Sequence, residues 1–194
     1  MAKMRMFLRE STVGREPLAV SLSSVRQGER TLQIGVDDPR IVHTIANKAG
    51  LTGLATIVVP TESAAERLTA VASEGSSAAD VRIEPLDRLP FEDGVYDVAV
   101  VHNAEGLLAG LETSVREGAM RECRRVLRPG GRVIVLETGK PTGMRAIFGG
   151  GPKHDAPFEA MGGSVAALQT AGFLNVRVLE DREGYRFIEG VRPR

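Results

Sequence analysis

From Thr31 to Leu136 the chain alternates between short apolar runs and segments of helical period, and few folds accommodate that order. Thr31–Gly35 reads as a strand. Asp38-Pro39 follows it, a carboxylate N-cap with proline in the first turn. Ile41, Ile45 and Ala49 then recur at i, i+4 and i+8, and Gly50 stops the helix. Ala55–Val59 lacks polar alternation, as suits a strand covered on both faces. Thr61 or Ser63 can cap the next helix, and Ser63 with Glu66 matches a capping box. Leu68, Val71 and Ala72 give that helix its buried side. Val81–Ile83 and Val98–Val101 read as the third and fourth strands. Glu112–Leu127 reads as a helix with Val115, Ala119, Cys123 and Val126 on one face. Arg128-Pro129-Gly130-Gly131 is a turn, and Val133–Leu136 a fifth strand. Ser164 caps a helix running to Thr170 and closed by Gly172. Phe173–Leu179 and Tyr185–Val191 form a hairpin across the polar turn 180–184.

Alternating strands and helices predict a parallel sheet covered on both faces, an α/β fold of three layers. The first strand belongs in its centre, and the last hairpin adds antiparallel strands at one edge. The chain reads as one domain over 1–194. Residues 1–30 form a lead-in with one short helix, for which Pro17 suits the first position. Residues 138–163, rich in Gly and Pro, form an irregular loop, and 141–162 are expected to be the most mobile internal segment.

Length and composition fit one globular domain: 194 residues, 42% hydrophobic and 26% charged. A formal net charge of zero, with arginines scattered and not interleaved with aromatics, argues against a nucleic-acid partner. Cys123 is the only cysteine, which excludes an internal disulfide and argues against a Cys-based metal site. Its helical position makes it a small core residue. Arg5, Arg9 and Glu10 interrupt the apolar start, and no run reaches the ~20 apolar residues of a membrane span. The expected location is the cytoplasm.

Two segments carry a family likeness. Leu89-Pro90-Phe91-Glu92-Asp93-Gly94-Val95-Tyr96-Asp97-Val98 resembles the LPF-x-D-x-x-[FY]-D-x-V stretch of S-adenosylmethionine (AdoMet) dependent methyltransferases. Arg121 to Arg132 resembles their E-x-x-RVL-[KR]-PGG-R segment. Leu136 to Pro141 and Ala171 to Val176 are most similar to the ubiquinone/menaquinone C-methyltransferase branch. The likeness covers roughly residues 31–192. It implies a class I, Rossmann-like methyltransferase sheet of seven strands, with AdoMet across the carboxyl ends of the first strands.

The resemblance also implies three cofactor-binding features, and the residues depart from each. The G-x-G-x-G-like loop is Gly35-Val36-Asp37-Asp38-Pro39, which keeps only its first glycine. Asp38 caps the helix with its own carboxylate, while Asp37 can attract the positive charge of AdoMet. The acid that binds both ribose hydroxyls is replaced by Pro60, with Glu62 as a displaced substitute. Glu62 otherwise serves the N-terminus of a helix. The Asp that reaches the adenine amino group is replaced by Pro85, with Asp87 as the residue that can rescue the contact. Losing two charge-assisted hydrogen-bond sites, at ~1.5–3 kcal/mol each, predicts AdoMet binding weaker by roughly 10²–10⁴-fold.

Catalytic signals are sparse. His102, beside Asn103 after the fourth strand, is the candidate base, against the plainer reading of a polar residue ending a strand. His43 belongs to a helix, His154-Asp155 to the loop, and Gly149-Gly150-Gly151 reads as a linker. No metal site is expected. Two functions follow. In one, a methyltransferase-like pseudoenzyme binds no cofactor and serves a partner protein, another copy of itself, or another ligand, at the sheet's carboxyl end or an exposed edge. In the other, an active small-molecule methyltransferase uses AdoMet in an atypical pocket.

Overall fold

In the computed structural model, which describes residues 16–50, 52–71, 79–139, 156–182 and 184–194, the apolar runs pair into one seven-stranded sheet. β1 (Arg30–Ile34) lies between β2 (Leu54–Val59) and β4 (Tyr96–Asn103), parallel to both. β3 (Asp80–Ile83) extends the β2 side, and β5 (Leu127–Thr138) pairs in parallel with β4. β7 (Tyr185–Val191) runs antiparallel to β5, and β6 (Leu174–Arg182) completes that edge as the other arm of the hairpin. The order is β3-β2-β1-β4-β5-β7-β6. β1 is interior, as expected, but β4 holds the middle position. The α/β class and the antiparallel edge hairpin stand as read from the sequence.

Period-2 alternation assigns the two faces. Val98, Val100, Ile134 and Leu136 pack against α1 (Leu18–Ser21) and α2 (Pro39–Lys48). Ile57 and Val59 meet Val42 of α2 and Leu68 of α3 (Glu62–Val71) on the same face. Ala99, Val101, Val133 and Val135 face the other way. They meet Leu108 of α4 (Leu107–Gly110), Met120 and Cys123 of α5 (Thr113–Val126), and Leu168 of α7 (Gly163–Thr170). Burial pushes the Cys123 thiol up to about 12, so it is an un-ionised core side chain.

The family-like segments hold one another. Arg125 of α5 donates to Asp93 (2.6 Å) and to the Leu89 and Phe91 carbonyls, while Glu122 accepts from Leu89 N (2.8 Å). Asp97 accepts from Arg128 (2.5 Å) and from Arg30 N (2.8 Å), tying β4 to β1 and β5. Gly131 has no room for a side chain: a Cβ there would lie 2.8 Å from the Arg128 carbonyl oxygen. These residues build the scaffold, so the likeness they carry speaks to fold before activity.

Several local expectations change. Thr61, not a Ser63–Glu66 box, caps α3, its Oγ1 accepting from Ala64 N (3.3 Å). Arg128–Gly131 is continuous with β5, through an irregular register opposite Tyr96–Val98. Ser164 sits inside α7, and its hydroxyl goes to Glu137. Of the loop expected over 138–163, Ala156–Ala160 forms a short helix, α6. Residues 140–155, with His154, Asp155, Gly149–Gly151 and most of the segment expected to be mobile, lie outside the described residues, as do 1–15 and Ala72. Among the described residues, no helix is long and apolar enough to cross a membrane.

Candidate cofactor cleft

The carboxyl ends of β1, β2 and β4 surround a cleft of about 320 Å³, lined among others by Gly35, Pro60, Arg67, Glu105 and Leu107. Gly35 leaves β1 with φ +80°, where an L side chain is strained. A Cβ there would come within 2.6 Å of the Leu107 side chain and 3.1 Å of the His102 carbonyl oxygen. The glycine therefore lets the β1 loop approach the β4 loop closely.

Asp37 fastens these two loops together. Its carboxylate accepts from Ala104 N (2.7 Å) and Glu105 N (2.9 Å), across 67 and 68 residues of sequence. Burial raises its pKa to about 6, and the two backbone N–H bonds offset part of that. Arg67 reaches over from α3. It donates to the Asp37 carbonyl (2.6 Å), to the Val36 carbonyl (3.3 Å) and to both Glu105 carboxylate oxygens (2.9 and 3.1 Å). Two loops and a helix are thus joined at one mouth by groups of the chain itself.

The other sequence-selected residues fall elsewhere. Asp38 caps α2 as expected, accepting from Arg40 N (2.8 Å). Pro39 opens α2 and Pro60 lines the cleft. Glu62 is exposed in the first turn of α3 and is not part of the lining. Pro85 and Asp87 are exposed, and Asp87 lies against Gly118 of α5, away from the cleft. His102, the candidate base, is buried on the α2 face. Its Nε2 shares a hydrogen bond with Gln33 Oε1 (2.9 Å), and Gln33 donates to the Val42 carbonyl (3.0 Å). Burial lowers its pKa to about 4, so the ring is neutral at physiological pH and is occupied in packing.

A polar cluster occupies the opposite face at the same end of β4 and β5. Ser164 donates to Glu137 (2.5 Å), Asn103 donates to Ser164 (3.4 Å), and Arg186 of β7 reaches Glu137 (3.4 Å). Burial holds the Glu137 carboxyl above the usual carboxylate range, opposed by the Ser164 bond. The sequence reading missed Glu137, Arg67 and Glu105. An acid closing the apolar run of β5 was the one available signal, whereas Arg67 is an ordinary polar residue on a helix. Among the described residues, no group of three or more His, Cys, Asp or Glu is placed to hold a metal ion.

Residues 43–135 match the model of a methyltransferase domain. The ubiquinone/menaquinone biosynthesis C-methyltransferase UbiE of Pseudomonas fluorescens is 33% identical over 128 residues, 64% of this chain and 47% of the relative. The chain thus spans about half the length of that curated relative. An AdoMet-dependent methyltransferase from Aquifex aeolicus superposes with a TM-score of 0.68 at 16% identity, covering 89% of this chain and 87% of the other. The [4+2]-cyclase SpnF superposes with a TM-score of 0.61 at 19% identity, covering 91% of this chain and 78% of its own.

Proposed function

We propose that this chain, which carries the class I AdoMet-dependent methyltransferase fold, is a non-catalytic member of that superfamily that serves a partner protein or a different ligand. The observation that carries this reading is the Asp37–Arg67–Glu105 closure. A cofactor lying across the carboxyl ends of the strands needs the β1 loop to face it. Here that loop gives its carboxylate to the β4 loop and its carbonyls to Arg67. Pro60 lines the cleft where a carboxylate is required for the ribose hydroxyls, and the two substitutes proposed for the missing acids, Glu62 and Asp87, are exposed outside it. The cleft volume is also at the small end of the ~300–1,000 Å³ typical of ligand pockets. The residues present therefore fit AdoMet poorly, and we derive no methyl-transfer step through it.

Fold alone does not decide activity. A neighbour described as a [4+2]-cyclase is consistent with this scaffold serving other ends. We also take the protein to be cytoplasmic, in keeping with a single buried cysteine. Apolar residues on both outer strands, Val81 and Ile83 on β3 and Leu174 and Val178 on β6, favour a partner protein or a second copy at a sheet edge.

One feature favours the active-enzyme alternative: a cleft persists at the family's cofactor position, and it contains the carboxylate of Asp37. Calorimetric titration separates the two readings. The unmodified protein is expected to show no AdoMet binding at micromolar concentration. The combined variant Asp37→Gly, Pro39→Gly, Pro60→Asp, Pro85→Asp is expected to gain affinity if it keeps its fold, checked by circular dichroism. A dissociation constant near a micromolar for the unmodified protein overturns the proposal.

A further inference from the structure

The helical face carries a second concavity, a groove of about 200 Å³ between α5 and the α6–α7 pair. At about 30 Å³ per water, this holds a small organic molecule. Its walls include Phe158, Met161 and Ala166, together with Arg116, Glu117 and Arg121.

Arg116 sets its chemistry. The residue is 8% exposed, yet no ion pair among the described residues includes it. α4 ends just before α5, and its last carbonyls need donors. Arg116 Nη1 supplies them, donating to the Leu108 carbonyl (3.2 Å) and the Leu111 carbonyl (3.3 Å), and Nη2 donates to Thr113 Oγ1 (3.2 Å). All three bonds are long and all three acceptors are neutral. A guanidinium carries five N–H donors. The Nε–H and one Nη2–H therefore have no acceptor among the described residues. The guanidinium carbon lies over the Phe158 ring, 5.0 Å from its centroid. The carboxylate along the same wall, Glu117, is 3.6 Å from Arg121, one turn further along α5.

A buried cation without a counter-charge is costly, and an anion that supplies one gains accordingly. Stacking on an aromatic ring with edge donors free matches the planar, two-oxygen geometry of a carboxylate. A free phosphate needs more donors than one guanidinium offers, and it leaves Phe158 and the exposed Met161 uncovered. We propose that this groove binds a small organic carboxylate with an apolar body, its carboxylate paired with Arg116 and its body against Phe158 and Met161. This inference does not depend on how the cofactor cleft is read.

Benzoate is a suitable probe, followed by two-dimensional amide NMR on the full chain. Saturable shifts are expected at Phe158, Met161 and Ala166, with benzyl alcohol and inorganic phosphate each at least about tenfold weaker. Arg116→Gln is expected to weaken benzoate by about tenfold or more. Because Arg116 also caps α4, a second variant, Ala166→Leu, fills the groove without touching the guanidinium and is expected to abolish the same shifts while the rest of the spectrum persists. The proposal fails if benzoate gives no saturable shift up to about 10 mM. It fails equally if benzyl alcohol or phosphate binds as well as benzoate, or if Ala166→Leu leaves binding unchanged in a folded protein.

Discussion

The cleft beyond β1 and the groove beside α5 differ in how their charges are answered. In the cleft, Asp37 has two backbone N–H groups, and Arg67 has Glu105 and two carbonyls. In the groove, Arg116 meets neutral oxygens and an aromatic ring. A ligand entering the cleft must first displace bonds the chain already makes, whereas one entering the groove supplies a counter-charge that Arg116 does not meet among the described residues. If both proposals hold, the larger cavity is the poorer binding site, because charge matching, rather than volume, sets what a ligand gains.

If the cleft's polar groups are engaged within the chain, replacing them must register in stability. The largest effect is expected in the pH dependence. Asp37 rises from 3.8 to about 6 on folding, so the stability it contributes is fully present below the lower value and is lost as pH rises through the upper one. His102 falls from 6.5 to about 4, so its contribution is present above pH 6.5 and is lost as pH falls toward 4. Each amounts to up to about 3 kcal/mol. Relative to the unmodified protein, Asp37→Asn should gain in urea-unfolding stability as pH rises across this window, and His102→Gln should gain as pH falls. Curves that run parallel to the unmodified protein would break the assignment of both groups.

A smaller loss, about 1–3 kcal/mol, is expected for Gly35→Ala, from the positive φ and the contact with Leu107. Thermal unfolding measures it, and an unchanged midpoint would mean that the two loops are not held in close approach. The smallest effect belongs to Arg67→Ala. Its pair with Glu105 is half exposed, with side chains 42% and 58% accessible, so about 1 kcal/mol or less is at stake. Opening the mouth this way should not by itself produce AdoMet binding, since Asp37 still holds the β4 loop and Pro60 still offers no acceptor. A calorimetric signal from Arg67→Ala alone would show that the closure, and not the prolines, excludes the cofactor.

Much of the scaffold was legible because its determinants are local. Apolar runs without alternation marked the inner strands. Asp38-Pro39 marked a helix start, and the spacing of Ala119, Cys123 and Val126 marked a buried helical face. The family-like segments also supplied a frame in which Asp37, Pro60 and Pro85 are expected to be departures, and that expectation is carried into the proposed function. The four- and five-residue helices α4 and α6 were not legible, since neither is long enough to display a period. Nor does local sequence say which layer a strand-end residue faces. His102 and Asn103 are neighbours, yet one is sealed against Gln33 while the other joins Ser164 and Glu137 on the opposite side of the sheet.

By itself, then, the sequence determined the alternation, the buried faces and the prolines at positions 60 and 85, all properties of residues and their near neighbours. Tertiary structure alone decided what the polar side chains do. Asp37 finds its donors 67 residues away, Arg67 finds Glu105 at a separation of 38, and Arg116 is enclosed by Phe158 from a helix beyond β5. A charge takes its meaning from the partner and the solvent it meets. Those are fixed only when the sheet brings distant loops to one end.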